Sequence, residues 1–180
     1  IATLPESNPR IVLAGDFNGF SPADREQYDG NESLVAFFKR LDLANNANNL
    51  SGSKISYEAI SAILDQGFID AIDHKRVANA PFVGTFPTAL VKDEDHGTDR
   101  RLDYIFLSRN LVDRIEEASI LRDDVTEMLS DHIPVSTTLM IDRPRIFTSK
   151  PEMLQAHGAG EGPAWDPQLG LLTSGEGNIN

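Results

Sequence analysis

RLDYIFLS, residues 101–108, alternates two sets of side chains. In an extended chain Leu102, Tyr104 and Phe106 face one way, and Asp103, Ile105 and Leu107 face the other. Aromatic and β-branched residues at that spacing predict a β-strand. Asp103 is the misfit, because a carboxylate on an inward strand face is costly unless a partner meets it. One candidate partner is Arg100 or Arg101 next door. Another is a histidine, whose tautomer a carboxylate would fix.

The same texture continues outward from this strand. PFVGTF (81–86), DRIEEASILRD (113–123) and IPVSTTLMI (133–141) are each expected to be extended. Near the N-terminus, residues 11–14 read as a short buried strand that Gly15 ends. GFSPADREQYDG (19–30) is turn-rich, with Ser21-Pro22 suited to a loop or helix start. Leu34, Phe37, Phe38 and Leu41 recur at helical spacing and predict an amphipathic helix over 31–44, capped by Asn31. NNANNLSGS (45–53) reads as a polar loop. Ile60, Ile63 and Leu64 predict a second helix that Gly67 stops, and FIDAI (68–72) a further short element. Strand, helix, helix and then several strands imply helices packed on a sheet, an α/β or α+β arrangement. Beyond Asp142 the chain turns Gly- and Pro-rich without period, so 1–142 is expected to form the body and 143–180 a tail or extension.

Composition narrows the chemistry. The 180 residues carry 16 Lys and Arg against 28 Asp and Glu, a net charge of −12. Such a surface disfavours strong non-specific DNA binding, although not action on a phosphate ester. No stretch nears the roughly 18 apolar residues of a membrane span. The chain has no cysteine, which rules out disulfides and thiolate metal sites and leaves the compartment open. It opens IATLPESNPR, without an initiator Met or a signal pattern, and is expected to be a fragment or a processed product.

Two further stretches carry polar groups in unusual places. In GDFN (15–18), Asp16 and Asn18 stand two apart, on one side of an extended backbone and just past a strand end. Gly15 and Gly19 admit positive φ or close approach. The same residues also read as a turn closed by an Asx hydrogen bond. In SDHIPV (130–135), Asp131 and His132 are adjacent, and Pro134 keeps Ile133 extended. Strand neighbours face opposite sides, so both serve one site only from an irregular lead-in.

GDFN, then RLDYI about 85 residues on, then SDHIPV, form an ordered set that resembles the endonuclease/exonuclease/phosphatase superfamily, which includes DNase I-like and exonuclease III-like enzymes. The likeness covers about residues 10–142 and matches the family's C-terminal half; GTFPT (84–88) looks like its usual Thr-Phe segment. The resemblance implies an α+β fold, half of a four-layer α/β/β/α sandwich with a mostly antiparallel sheet and flanking helices. It implies a Mg²⁺-dependent phosphoesterase, with Mn²⁺ or Ca²⁺ as alternatives, acting on a phosphodiester or phosphomonoester through an activated water. By position, Asp16 would orient or deprotonate that water and Asn18 would hold it or the phosphate. Asp131, with Asp16, would serve the metal. His132, paired with Asp103, would stabilise the phosphoryl oxygens or act as acid–base.

The chemistry suits these residue types. Attack on phosphorus builds negative charge that a hard cation neutralises, and hard cations take carboxylate and carboxamide oxygens. An imidazole or amide aimed at that charge adds fixed stabilisation, and the water needs a base. The family's N-terminal half normally brings a metal-ligating Glu, for which Glu6 and Asn8 are poor substitutes. A missing half or an oligomeric partner is therefore expected, with an uncovered apolar sheet face and an isolated chain of low activity. The competing reading is a non-catalytic half-domain retained for binding or assembly. Small phosphoesters, lipid headgroups or sugar phosphates are favoured over duplex DNA by net charge. Of the remaining polar groups, His74 and residues 93–95 read as solvated, His96 as a loop group near the rim, His157 as part of the tail and Asp70 as structural.

Overall fold

The computed structural model describes residues 9–92 and 96–140 in full and the backbone of 164–166 and 171–173. It is an α+β chain of mixed helices and antiparallel sheets with no barrel, consistent with half of a DNase I-like sandwich. Strand β1 (Val12–Asp16) leads through a 3-10 turn, Pro22–Asp24, into the short α1 (Arg25–Tyr28). Helix α2 (Glu32–Asn45) follows, capped by the Asn31 side chain, which accepts a hydrogen bond from Leu34 N at 2.9 Å. A small ribbon, β2 (Leu50–Ser51) and β3 (Lys54–Ile55), precedes α3 (Glu58–Asp65). Then come β4 (Phe68–Asp70), α4 (Ala71–Lys75), β5 (Asp103–Ser108), β6 (Ile115–Ile120) and β7 (Val135–Leu139).

Strand β5 is the centre of a three-stranded antiparallel sheet ordered β1-β5-β4, and its alternation is the one read from the sequence. Tyr104 and Phe106 pack against Ile60 of α3 and Phe68 of β4. Ile105 and Leu107 pack on the opposite side with Ala71, Leu111 and Ile115. Phe20, Tyr28, Leu34, Phe38, Ile55 and Leu102 form a third cluster under α2. Each such side chain taken out of water contributes roughly 1.5–3 kcal/mol before ordering costs. The paired strands β6 and β7 carry Val135 and Leu139 onto the second cluster.

A buried ionic cluster ties these pieces together. Arg101, with no exposed surface, donates through Nε to Asp24 at 2.7 Å and through Nη1 to Asp70 at 2.5 Å. Asp24 also accepts from Arg76 at 2.6 Å. Asp70 caps α4 through Ile72 N and Asp73 N, so the structural reading of that residue holds.

Three sequence expectations need correcting. Residues 11–14 were expected to be buried, yet every residue of β1 is exposed, Val12 to 49% and Leu13 to 36%. β1 is an edge strand, paired with β5 on one side only among the described residues. Residues 81–86 do not form a strand; Phe86 makes one isolated bridge with Arg100. Pro81 and Pro87 withhold donors there, and Gly84 lies so close to the Arg100 backbone that a Cβ would sit 2.8 Å from its nitrogen. Residues 45–53 are not all loop, because Leu50–Ser51 pairs with Lys54–Ile55 across a turn in which Gly52 takes a φ of 66°.

The chain divides into two compact units, Ile1–Met140 and Ile141–Asn180. Within the second, β8 (Ala164–Asp166) and β9 (Leu171–Thr173) pair antiparallel. His157, Glu6, Asn8 and residues 93–95 lie outside the described residues. Among the described residues no helix is long and apolar enough to cross a membrane.

Candidate active site

Antiparallel pairing sets Asp16, the last residue of β1, directly opposite Asp103, the first residue of β5. Like charges opposite each other on neighbouring strands destabilise a sheet, so the pair calls for a compensating group. His132 provides one contact: its Nδ1 lies 2.8 Å from Asp103 Oδ2, with the two side chains 23% and 15% exposed. The ligating atoms of Asp16, Asp103 and His132 all fall within 4.8 Å of one another. The ion pair with Arg100 or Arg101 considered for Asp103 is not formed; Arg101 is committed to Asp24 and Asp70.

The GDFN segment is both a turn and part of the site. Asn18 takes a φ of 45°, a left-handed conformation that asparagine tolerates better than most side chains. Its backbone N–H donates to Asp16 Oδ1 at 2.8 Å and its Nδ2 to Oδ2 at 2.9 Å. The Asx hydrogen bond is therefore present. Asn18 meets Asp16 by turning back on it, not by the extended spacing read from the sequence. Phe17 N continues the strand ladder by donating to the Leu102 carbonyl at 2.9 Å.

His132 reaches the sheet because residues 85–88 hold both partners. The Thr85 hydroxyl accepts from the backbone N–H of Leu102 at 2.9 Å and of Asp103 at 3.1 Å, which anchors the start of β5. The Thr85 carbonyl accepts from Ile133 N at 2.7 Å, while Thr88 N donates to the Asp131 carbonyl and the Thr88 hydroxyl to the Ser130 carbonyl. Residues 130–134 thus form the irregular lead-in that the Asp131-His132 doublet required, and β7 begins only at Val135. GTFPT stands out in the sequence as a segment, but local spacing gives Thr85 and Thr88 no role. Replacing Thr85 by Val keeps the volume and strands two N–H groups, that of Leu102 buried and that of Asp103 partly so. It is expected to cost about 1–3 kcal/mol in chemical denaturation and to shift the Asp103 amide resonance.

Asp131 lies beside His132 in sequence but outside this cluster. It is exposed, and its carboxylate accepts from Ser130 Oγ at 3.1 Å. The Phe86 ring lies 4.8 Å from that of His132 and 5.9 Å from that of His96, tilted against both by 48° and 57°. His74 is exposed on α4.

The donor set fits a divalent cation: two carboxylates and an imidazole converge, and the described residues place no Lys or Arg in ion-pair contact with Asp16 or Asp103. No family model matches the chain. It is similar to an exodeoxyribonuclease of Bacillus subtilis (strain 168), 33% identical over 148 residues, which are 78% of this chain and 48% of the relative. The chain thus spans about half the length of the curated relative it matches. By its name that relative is a nuclease.

Proposed function

We propose that residues 1–142 carry part of a metal-dependent phosphodiesterase site acting on nucleic acid. The observation that carries this reading is the Asp16–Asp103 pair across two strands with His132 Nδ1 on Asp103 at 2.8 Å. Similarity to an exodeoxyribonuclease moves the substrate from the small phosphoesters favoured by net charge toward nucleic-acid phosphodiesters.

In this reading Asp16 orients the attacking water and accepts its proton. The water oxygen forms the new bond to phosphorus while the bond to the leaving oxygen breaks. Asn18, pinned by Asp16, holds the phosphoryl group. Asp103 fixes the His132 ring by its Nδ1 edge, which leaves Nε2 to stabilise the phosphoryl oxygens or to return a proton to the leaving oxygen. Mg²⁺, or Mn²⁺ or Ca²⁺ in its stead, would be held by Asp16 in the cluster it forms with Asp103 and His132; Asp131, the further donor implied by the family resemblance, lies outside that cluster. When bound, the cation neutralises charge that builds on the phosphate.

Cation binding tests the reading without needing turnover, which is expected to be slow for the chain alone. Titration with Mn²⁺ should broaden the amide resonances of Asp16, Asn18 and Asp103 first, and EDTA should restore them. Asp16→Asn should weaken that response at least about tenfold, as loss of a charged ligand does. A non-catalytic half-domain predicts no broadening here, or broadening centred on unrelated surface acids.

A further inference from the structure

Asn18 is exposed and takes a φ of 45°, yet the residues on either side of it are pinned. On one side, Phe17 donates its N–H to the Leu102 carbonyl and sets its ring edge-on to two rings of β5, 6.0 Å from Tyr104 and 5.1 Å from Phe106. On the other, Gly19 is buried, and its carbonyl accepts from the Tyr104 hydroxyl at 2.9 Å. The same hydroxyl donates to the Arg101 carbonyl at 2.8 Å. Its one proton is thus shared between two acceptors, one just past the GDFN turn and one two residues ahead of Asp103. Helix α3 closes the back of the turn, since a Cβ on Gly19 would meet Ile60 at 3.3 Å.

A left-handed backbone on a residue with a side chain persists only where its surroundings hold it. Here they also fix where the side chain goes, because a turn clamped at both ends leaves the carboxamide little beyond its own rotation. The Tyr104 hydroxyl is the polar part of that clamp. The ring is secured without it: Tyr104 has no exposed surface, lies parallel to Phe106 at 5.2 Å and has the Arg101 guanidinium 4.5 Å from its centroid. A phenylalanine ring would keep those contacts. What the hydroxyl adds is a tie between the residue that follows Asn18 and the strand that begins at Asp103.

We infer that Tyr104 is a positioning residue: through Gly19 its hydroxyl holds the Asn18 carboxamide in place for the phosphoryl group. The inference rests on the phosphodiesterase reading and adds to it a residue that touches neither phosphate nor cation. Displacing a positioned group by about 1 Å costs up to about a hundredfold in rate. Loss of one hydrogen bond from a clamp with other members should cost part of that.

The test is a mutant cycle read by single-turnover cleavage of a labelled single-stranded oligonucleotide, with the chain in excess and its concentration varied. Tyr104→Phe is expected to lower the plateau rate about tenfold and to leave the half-saturating concentration unchanged. A variant that merely lost folded chain would do the reverse, raising the half-saturating concentration and sparing the plateau. An Asn18→Gly background keeps the positive φ and removes the carboxamide. There the same substitution should cost less than about twofold, because the group it positions is gone. Gly19→Ala, which presses the turn off Ile60 with the hydroxyl present, should lower the plateau as Tyr104→Phe does. Adding Ile60→Val should recover part of that rate even though it thins the core. A second readout needs no turnover: Asn18 Nδ2 donates to Asp16, and Tyr104→Phe should narrow the shift separation of its two protons. An equal loss in both backgrounds, or a plateau within about twofold of the parent, overturns the inference and leaves the phosphodiesterase reading standing. A narrowed Asn18 signal in a chain whose parent does not cleave shows the clamp but sinks the phosphodiesterase reading, and the positioning role with it.

Discussion

Replacing Asp103 by Asn is expected to slow cleavage of a 5′-labelled single-stranded oligonucleotide by about 10³–10⁴-fold while leaving the fold intact. The backbone position survives, because Thr85 holds the N–H of residue 103 whatever its side chain. What changes is the partner of His132 Nδ1: a carboxylate accepts only, whereas a carboxamide can turn its NH₂ toward the ring and reverse the tautomer. The Asp16–Asp103 repulsion is relieved at the same time, so stability should hold or rise slightly. Single-turnover conditions, with the chain in excess, make slow cleavage measurable. Cleavage by the variant within about threefold of the parent would show that the dyad is structural.

Arg101→Leu is expected to have the largest effect on stability, about 3–5 kcal/mol, seen as a fall in Tm of more than about 10 °C. The substitution leaves Asp24 and Asp70, both buried, facing an apolar side chain. Burial already raises the Asp70 carboxyl above its usual range even with Arg101 present. Losing the cation removes the main opposing influence. Adding Asp70→Asn should recover part of the loss, since an amide oxygen can still cap α4 and carries no charge to bury. The double variant should therefore be more stable than additivity allows. Strict additivity would mean that Arg101 acts through packing alone.

Much of this molecule was legible from local spacing. The alternation in RLDYIFLS placed β5 and its two apolar faces, and Asn31 with Leu34, Phe37, Phe38 and Leu41 placed α2 and its cap. Both depend on residues within a turn or a pleat of one another, where side-chain direction follows from the backbone period. The polar residue types of the site were visible for the same reason: a carboxylate on a buried face and an amide at a strand end stand out against their neighbours. Convergence of Asp16, Asp103 and His132 was expected from the family resemblance, and the coordinates bring those three together while leaving Asp131 outside.

By itself, then, the sequence determined the periods, the caps, the charge and the set of reactive side chains. Only the tertiary structure decided that β1 is an exposed edge, that residues 81–86 form no strand and make one isolated bridge, and that Arg101 answers to Asp24 and Asp70 rather than Asp103. It alone decided that Arg100 lies buried against three rings, with its Nη2 on the His96 carbonyl. The physical reason is distance along the chain. The Arg101–Asp24 contact joins residues 77 apart, and what such a contact gains depends on burial that no local pattern encodes.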